Sequence, residues 1–360
     1  MPIRPADSAA LAKEVRELYV DAENILLGKI AAALAKGVDR PAWADNKLSK
    51  IRTLRLEVEK VLAELEKHVP REVARALEYA YQRGIAAAAG ELATTALGNG
   101  AFKEIEFNYA TTAMLNAILA NQPAQAFQIM RSTVDLYQEV ITKASAQVTL
   151  GTVTRREAAR RSMQQLAARG ITTFIDQSGR RWDMGSYNEM AVRTASSNAM
   201  LQGTIDRMGE FGSDLVIVSD APEECKICRP FEGKVLSVDG RSVGEKLKDG
   251  ARVMTSLSAA KSAGLFHNNC RHSLGLYIPG HTKRHTDTAD PKGNALREQQ
   301  RAYERRVREL KRRHAIDKEF GGPAAAGSLA KLRAKQQEFT DWREANGRKD
   351  LAYRTSLIGR

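Results

Sequence analysis

Cysteine is scarce in this chain: three in 360 residues, at Cys225, Cys228 and Cys270. An odd trio cannot pair off into a disulfide framework. With no signal peptide and no long apolar run, the chain is expected in a reducing cytosol, where structural disulfides are rare. The lack of such a run also argues against a membrane-spanning helix. Aromatics are thin, 6% beside 43% hydrophobic content. That suffices for a core lean in large rings, and the heavy use of Ala, Leu, Glu, Arg and Lys favours helices. Acidic charge is in the minority, with 43 Asp plus Glu against 56 Lys plus Arg, a net charge of +13 and a pI near 9.7. Such a balance points to an anionic partner, nucleic acid first. The excess is concentrated at one end: residues 281–360 hold 20 Lys plus Arg against 11 Asp plus Glu, so +9 of the total lies there.

What is present is the placement of those cysteines. Cys225 and Cys228 are three positions apart, and Cys270 lies in Phe266-His267-Asn268-Asn269-Cys270-Arg271-His272. Thiolate and neutral imidazole are borderline-soft donors suited to zinc, and Cys-x-x-Cys on a tight turn grips one ion with both sulfurs. A thioredoxin-like redox pair would open a helix within a βαβ pattern, whereas here the motif follows the strand-like Leu215-Val216-Ile217-Val218 and precedes Pro230. Buried structural cysteines are common, but not three out of three beside histidines or one another. His267-x-x-Cys270 has the spacing of a second knuckle, so Cys225, Cys228, His267 and Cys270 are the expected ligands. His272 is the runner-up; two residues beyond Cys270, in an extended segment, it points to the same side. Four such ligands close a tetrahedron and leave no position for catalytic water, so the expected zinc is structural and the catalytic set is empty.

Along the first 170 residues the pattern is helical. Leu11, Val15, Leu18, Ala22 and Ile25 recur at alternating steps of four and three, as do Ile51, Leu54, Val58, Val61 and Leu65. Both are narrow stripes of coiled-coil type. Breaks are expected at Asp39-Arg40-Pro41, at His68-Val69-Pro70 and at Leu97-Gly98-Asn99-Gly100. Further helices are expected near 102–120 and 123–148, and Thr154-x-x-Glu157 reads as a capping box opening another that ends near Gly170. A hairpin over 171–184 with a turn at Gln177-Ser178-Gly179-Arg180 comes next, followed by a long helix from Ser186 to Met208. Strands are expected at 214–218, 234–237 and 273–278, a loop from Asp239 to Arg252 and a short helix from Leu257 to Ala263. The predicted fold is mainly α: a helical bundle or coiled-coil-like arm over 1–170, a small α+β domain knotted by metal over 171–280, and basic helices over 281–360.

In the basic tail, 281–294 has linker composition. Leu296, Tyr303, Val307 and Leu310 then mark one side of a helix, while Arg301, Arg305, Arg308 and Arg312 recur at steps of four, three and four along another, with Arg313 beside them. Such a ladder suits sequence-blind phosphate contacts. The competing reading is a solvated face, with Glu304 and Arg308, and Glu309 and Arg313, as ordinary i to i+4 pairs. Gly321-Gly322-Pro323 and Ala324 to Ala326 are expected to form a second linker, ahead of a helix carrying Leu329, Leu332, Phe339 and Trp342.

Three segments carry a resemblance. Tyr187-Asn188-Glu189-Met190-Ala191-Val192-Arg193-Thr194, Cys228-Arg229-Pro230-Phe231-Glu232-Gly233-Lys234-Val235, and Gly264 to Ser273 followed by Tyr277-Ile278-Pro279-Gly280 together resemble the tailed-phage minor capsid protein 2 family, akin to the Mu F-like head morphogenesis proteins. The likeness is strongest over 185–280. It implies a minor-copy virion protein built into the head near the portal and associated with packaged double-stranded DNA or its exit. Implied partners are the portal protein and the major capsid or scaffold protein, with no membrane role and with self-association open; the implied place is the head interior or portal vertex, after assembly in the host cytoplasm. Members share a Cys at the position of Cys228 and the His-x-x-Cys-Arg run matched by His267, Cys270 and Arg271. Phe231 stands where members have Trp. Cys225 is found in part of the family, so its role as a ligand rests on spacing. The resemblance carries over no catalytic activity.

Three other functions compete. A metal-dependent nuclease, suggested by His267, Asn268 and His272, would need the same residues to serve as knuckle and general base. A mono-ADP-ribosyltransferase would need an Arg, Ser-Thr and Glu-x-Glu series that is not found. A zinc-finger regulator would set a recognition helix where the polar loop at 239–252 lies.

Overall fold

The computed structural model describes residues 5–94, 105, 109–151, 153–169, 173–175, 181–268, 270–284 and 289–357. In chain order the elements are α1 (Pro5–Ala35), α2 (Trp43–Leu48), α3 (Ile51–Leu92), α4 (Tyr109–Leu119), α5 (Gln122–Thr149), α6 (Arg155–Arg169), β1 (Thr173–Ile175), β2 (Arg181–Asp183), α7 (Met184–Gly209), β3 (Leu215–Val218), β4 (Val235–Ser237), β5 (Val253–Ser256), α8 (Leu257–Ser262), β6 (Leu274–Leu276), α9 (Pro291–Phe320), α10 (Ala324–Ala345) and α11 (Ala352–Thr355). The chain is mainly helical, with a four-stranded sheet and a two-stranded hairpin. The expected break at Leu97 to Gly100 and the hairpin turn at 177–180 lie outside the described residues.

Two compact units emerge, each assembled from three stretches. One comprises 1–15, 71–120 and 189–298; the other comprises 16–70, 121–188 and 299–360. In the first, β3 lies between β4 and β6, antiparallel to both, and β5 joins β4 in parallel, giving the order β5-β4-β3-β6. Alternation along β3 places Val216 and Val218 on one face, with Leu92 of α3, Leu201 and Met208 of α7, Leu257 of α8 and Leu274 of β6. Ile217 turns to the other face, with Val235, Val253 and Tyr277. α3 and α7 cross at glycines: a Cβ on Gly84 would stand 2.0 Å from the Met200 carbonyl oxygen, and one on Gly203 would stand 2.2 Å from that of Tyr81. The outer edge of β6 is covered, since Glu91 of α3 accepts the Leu276 backbone N–H at 2.7 Å.

The second unit is helix on helix. α5 packs against α6, α2 and β1, and Glu157 N donates to Thr154 Oγ1 at 3.2 Å, the expected cap of α6. The C-terminal carbonyls of α1 are capped from α2, where Trp43 Nε1 donates to Leu34 O at 2.9 Å and Lys47 Nζ to Ala33 O and to Lys36 O at 2.6 Å. α9 stops at left-handed Gly321 (φ 70°), and Arg156 Nη1 caps the Phe320 carbonyl at 2.8 Å. α9 and α10 then meet through Val307, Leu310, Leu332 and Phe339, with Tyr303 stacked on Phe339 at 5.3 Å.

Four expectations are corrected. α3 runs through Pro70; loss of one N–H and a ring clash cost about 3 kcal/mol, which burial of Val69, Val73 and Leu77, worth about 1.5–3 kcal/mol each, offsets. The stripe on α1 does not hold to Ile25, which is 48% exposed, while Tyr19, Leu26, Leu27, Ile30 and Leu34 are buried. A straight helix drifts off a 3.5-residue repeat. β5 occupies residues placed after the polar loop and left without a strand; four residues on a sheet edge are too few to show alternation. Ala324 to Ala326 form the first turn of α10, as their high helix propensity favours.

Candidate metal centre

The first knuckle hangs between β3 and β4. Beyond Val218 the chain turns through 219–224 to Cys225, and the Arg229–Phe231 3-10 turn, with Pro230 inside it, returns it to β4. Glu223 takes a left-handed φ of 63°. The buried Glu224 carboxylate accepts from Arg229 Nε at 2.6 Å and from the Asp290 backbone N–H at 2.9 Å. The second knuckle lies between α8 and β6, where Cys270 N donates to His267 O at 2.8 Å. A mutual link of Ser219 and Ser273 fixes the descent into β6: Ser219 N donates to Ser273 O, and Ser273 N to Ser219 Oγ, both at 2.9 Å.

Between these turns the sequence-predicted residues converge. Cys225 Sγ is 3.0 Å from His267 Nε2, Cys228 Sγ is 3.6 Å from Cys270 Sγ, and Cys270 Sγ is 3.3 Å from His272 Nδ1. The donors form two trios sharing Cys228, one with Cys225 and His267 and one with Cys270 and His272, each with all donor atoms within 4.8 Å of one another. Two sulfurs on one tetrahedral zinc stand roughly 3.8 Å apart, from a Zn–S bond of about 2.3 Å, so the Cys228–Cys270 spacing already approaches a coordination edge. All three thiols are free, and Cys228 is fully buried in the core of the sheet unit, with Cys225 and Cys270 packed against it.

Electrostatics suit a cation. Burial raises the Cys225 thiol, but backbone N–H groups of Cys228 and Ile227 aimed at its sulfur, with His267, outweigh this and lower its pKa. Cys270 is brought down to about 4, first by the thiol of Cys228 and then, against burial, by the side chain and backbone N–H of His272. The Cys228 thiol is raised, first by its contact with the Cys270 sulfur and then by burial. Amides bonded to sulfur in this way stabilise thiolates. Each histidine turns its second nitrogen to an oxygen, His267 Nδ1 to Asn268 O and His272 Nε2 to Glu232 Oε1, both at 2.7 Å. Burial lowers both histidines, but the facing thiols outweigh it and raise them; with a metal bound, the nitrogen facing sulfur would give up its proton and coordinate through its lone pair, the other still held by oxygen. Donor types and backbone support fit zinc, with Cys270 set in a different trio from Cys225 and His267, so the expected four are not gathered in one group. Sequence reasoning missed Glu232 and Glu224; the acid at Phe231-Glu232-Gly233 was visible between the knuckles, but nothing in one sequence links it to His272, 40 residues on.

The arginine ladder lies in the helical unit. Arg301 pairs with Glu304 at 3.2 Å, Arg312 with Glu23 at 3.1 Å and Arg313 with Glu309 at 2.8 Å. Arg308 donates to the Arg354 carbonyl at 2.5 Å; burial and then the neighbouring Arg16 lower its pKa to about 10. Arg305 is exposed. Thus Glu309 with Arg313 forms as expected, whereas Glu304 turns back to Arg301.

Among the described residues no helix is long and apolar enough to cross a membrane. No solved structure matches the chain. A protein of Lactococcus phage LL-H described as "Structural protein" is 26% identical over 191 residues, 52% of this chain and 51% of that one, so the chain spans about half the length of this relative. Residues 3–343 match the family described as Phage minor capsid protein 2. Over nearly its whole length, then, the chain belongs to the phage minor capsid protein 2 family, whose members are structural proteins of the virus particle.

Proposed function

We propose that this chain is a head-morphogenesis component stationed at the portal vertex, carrying a structural zinc in the sheet unit and a sequence-blind contact to packaged double-stranded DNA in its basic tail. The observation that carries the assembly role is the family match across 3–343. The zinc is supported by five donors gathered from two turns some forty residues apart, with backbone amides set behind two of the sulfurs. Zinc there would add to the Ser219–Ser273, His272–Glu232 and Arg271–Glu223 links between the turns, contributing folding energy on the order of 10 kcal/mol. Portal, scaffold or major capsid protein would be the protein partners, and self-association through the helical segments remains part of the proposal. For DNA, Arg305 is the ladder member placed to meet phosphate directly; Arg301, Arg308, Arg312 and Arg313 would first have to leave internal partners.

Cross-linking of purified virions, read by mass spectrometry, tests the station. Cross-links between this chain and the portal protein are expected; absence of the chain from the particle, or cross-links confined to the tail, would overturn it. For the tail, the log–log salt slope of DNA binding should fall by about one on Arg305→Ala, and an unchanged slope would remove Arg305 from the interface.

A further inference from the structure

Five donors lie in two trios that share Cys228, one tetrahedral ion takes four of them, and the two histidines are not equivalent. His267 sits in a loop, and the acceptor behind its ring is the carbonyl of the next residue, at 2.7 Å. Behind His272 stands a carboxylate from the other knuckle. Glu232 Oε1 accepts His272 Nε2 at 2.7 Å, with the two side chains only 6% and 2% exposed. The same oxygen accepts the Ala221 backbone N–H at 3.2 Å, which fixes its position. The backbone beside His272 is pinned to the end of β3 by the Ser219–Ser273 link. Burying a carboxylate is costly unless it has a standing task. Holding a ligating imidazole in one tautomer and one orientation, with the far nitrogen turned to the metal, is such a task. Nδ1 of His272 accordingly faces Cys270 Sγ at 3.3 Å.

We infer that the ion is held by the Cys228, Cys270 and His272 trio, His272 binding through Nδ1, that Cys225 turns to it from beside His267 to close the tetrahedron, that Glu232 is the positioning residue of His272, and that His267 stands outside the coordination sphere. This rests on the zinc proposed above, and its test separates the two. The purified full-length chain is assayed for zinc content, for affinity by chelator competition, and for the cobalt spectrum after exchange, whose visible bands report tetrahedral geometry and whose near-ultraviolet intensity reports thiolates. Wild type without zinc would defeat the metal reading itself. With zinc present, His267→Ala should keep one ion and its affinity. Glu232→Gln should keep one ion and the tetrahedral spectrum but bind about 10–100-fold more weakly. His272→Ala should lose tight binding, and His272→Cys should restore it with added thiolate intensity, which excludes a mere folding defect. Weak binding by His267→Ala beside undisturbed Glu232→Gln, equal losses from both histidine-to-alanine changes, or two ions per wild-type chain bridged at Cys228 would each overturn the assignment.

Discussion

Replacing Gly203 by Ala should destabilise the sheet unit, although alanine is the better helix former. In an open helix the change gains about 1 kcal/mol. Here the new methyl would lie 2.2 Å from the Tyr81 carbonyl oxygen and 3.1 Å from Ile85 N, backbone atoms that no rotamer change can move. Ordinary contact requires α3 and α7 to part by about 1 Å, and overpacking of that kind costs about 1–3 kcal/mol. Separation also stretches the bond from Thr204 Oγ1 to the Gly84 carbonyl, 3.3 Å in place, worth about 1 kcal/mol. After the propensity gain a net loss of about 1–3 kcal/mol remains. Urea unfolding followed by far-ultraviolet circular dichroism measures it as a lower midpoint. Gly209→Ala, at the end of the same helix with nothing within 4 Å of its Cβ, is the control and should be neutral or stabilising. If both substitutions raise the midpoint, the close crossing of α3 and α7 is refuted.

A chelator should lower the thermal midpoint of the wild type but not that of Cys228→Ser, which should already melt at the lower temperature; equal chelator sensitivity in both would locate the metal elsewhere. Partial burial pushes the Asp214 carboxyl up, but the Asp239 backbone N–H and the Ser237 hydroxyl outweigh it and hold it at about 2, below its ordinary 3.8. A depressed acid adds stability above its ordinary pKa and loses it as pH falls through the folded value, so the stability gap between wild type and Asp214→Asn should shrink from pH 4 toward 2 in acid titrations of unfolding. A constant gap would refute the assignment. Asp317, 2% exposed, accepts from Arg160 at 2.7 Å and from Gln164, and because Arg160 keeps its pair with Glu157, Asp317→Ala should cost about 1–3 kcal/mol in denaturant unfolding, the penalty for leaving buried donors without an acceptor; a loss within 0.5 kcal/mol, typical of surface changes, would contradict it.

The sequence made the helices legible where their signals were local: Thr154 capping α6, Gly321 ending α9, the long helix expected from Ser186 to Met208. It also made the Cys/His cluster legible, because the Cys-x-x-Cys and His-x-x-Cys runs are short-range patterns. What it hid depends on distance. Pro70 reads as a stop until the burial of Val69 and Val73 is known, and Ile25 completes a heptad that the surrounding helices do not use. β5 exists because β4 offers it an edge, which four residues cannot announce. Glu232 takes its meaning only from His272 across the site. The ladder was legible as charge, yet Arg312 turns to Glu23, 289 positions earlier, a pairing no periodicity reveals.

The most direct measurement is the metal content of the full-length protein, purified without added metal or chelator, beside Cys270→Ser. One zinc ion per wild-type chain and a substoichiometric amount in Cys270→Ser are predicted, as a closed structural site with thiolate ligands requires. A wild type free of zinc, or a Cys270→Ser variant that keeps it in full, would contradict a zinc-knotted sheet unit in this minor capsid protein.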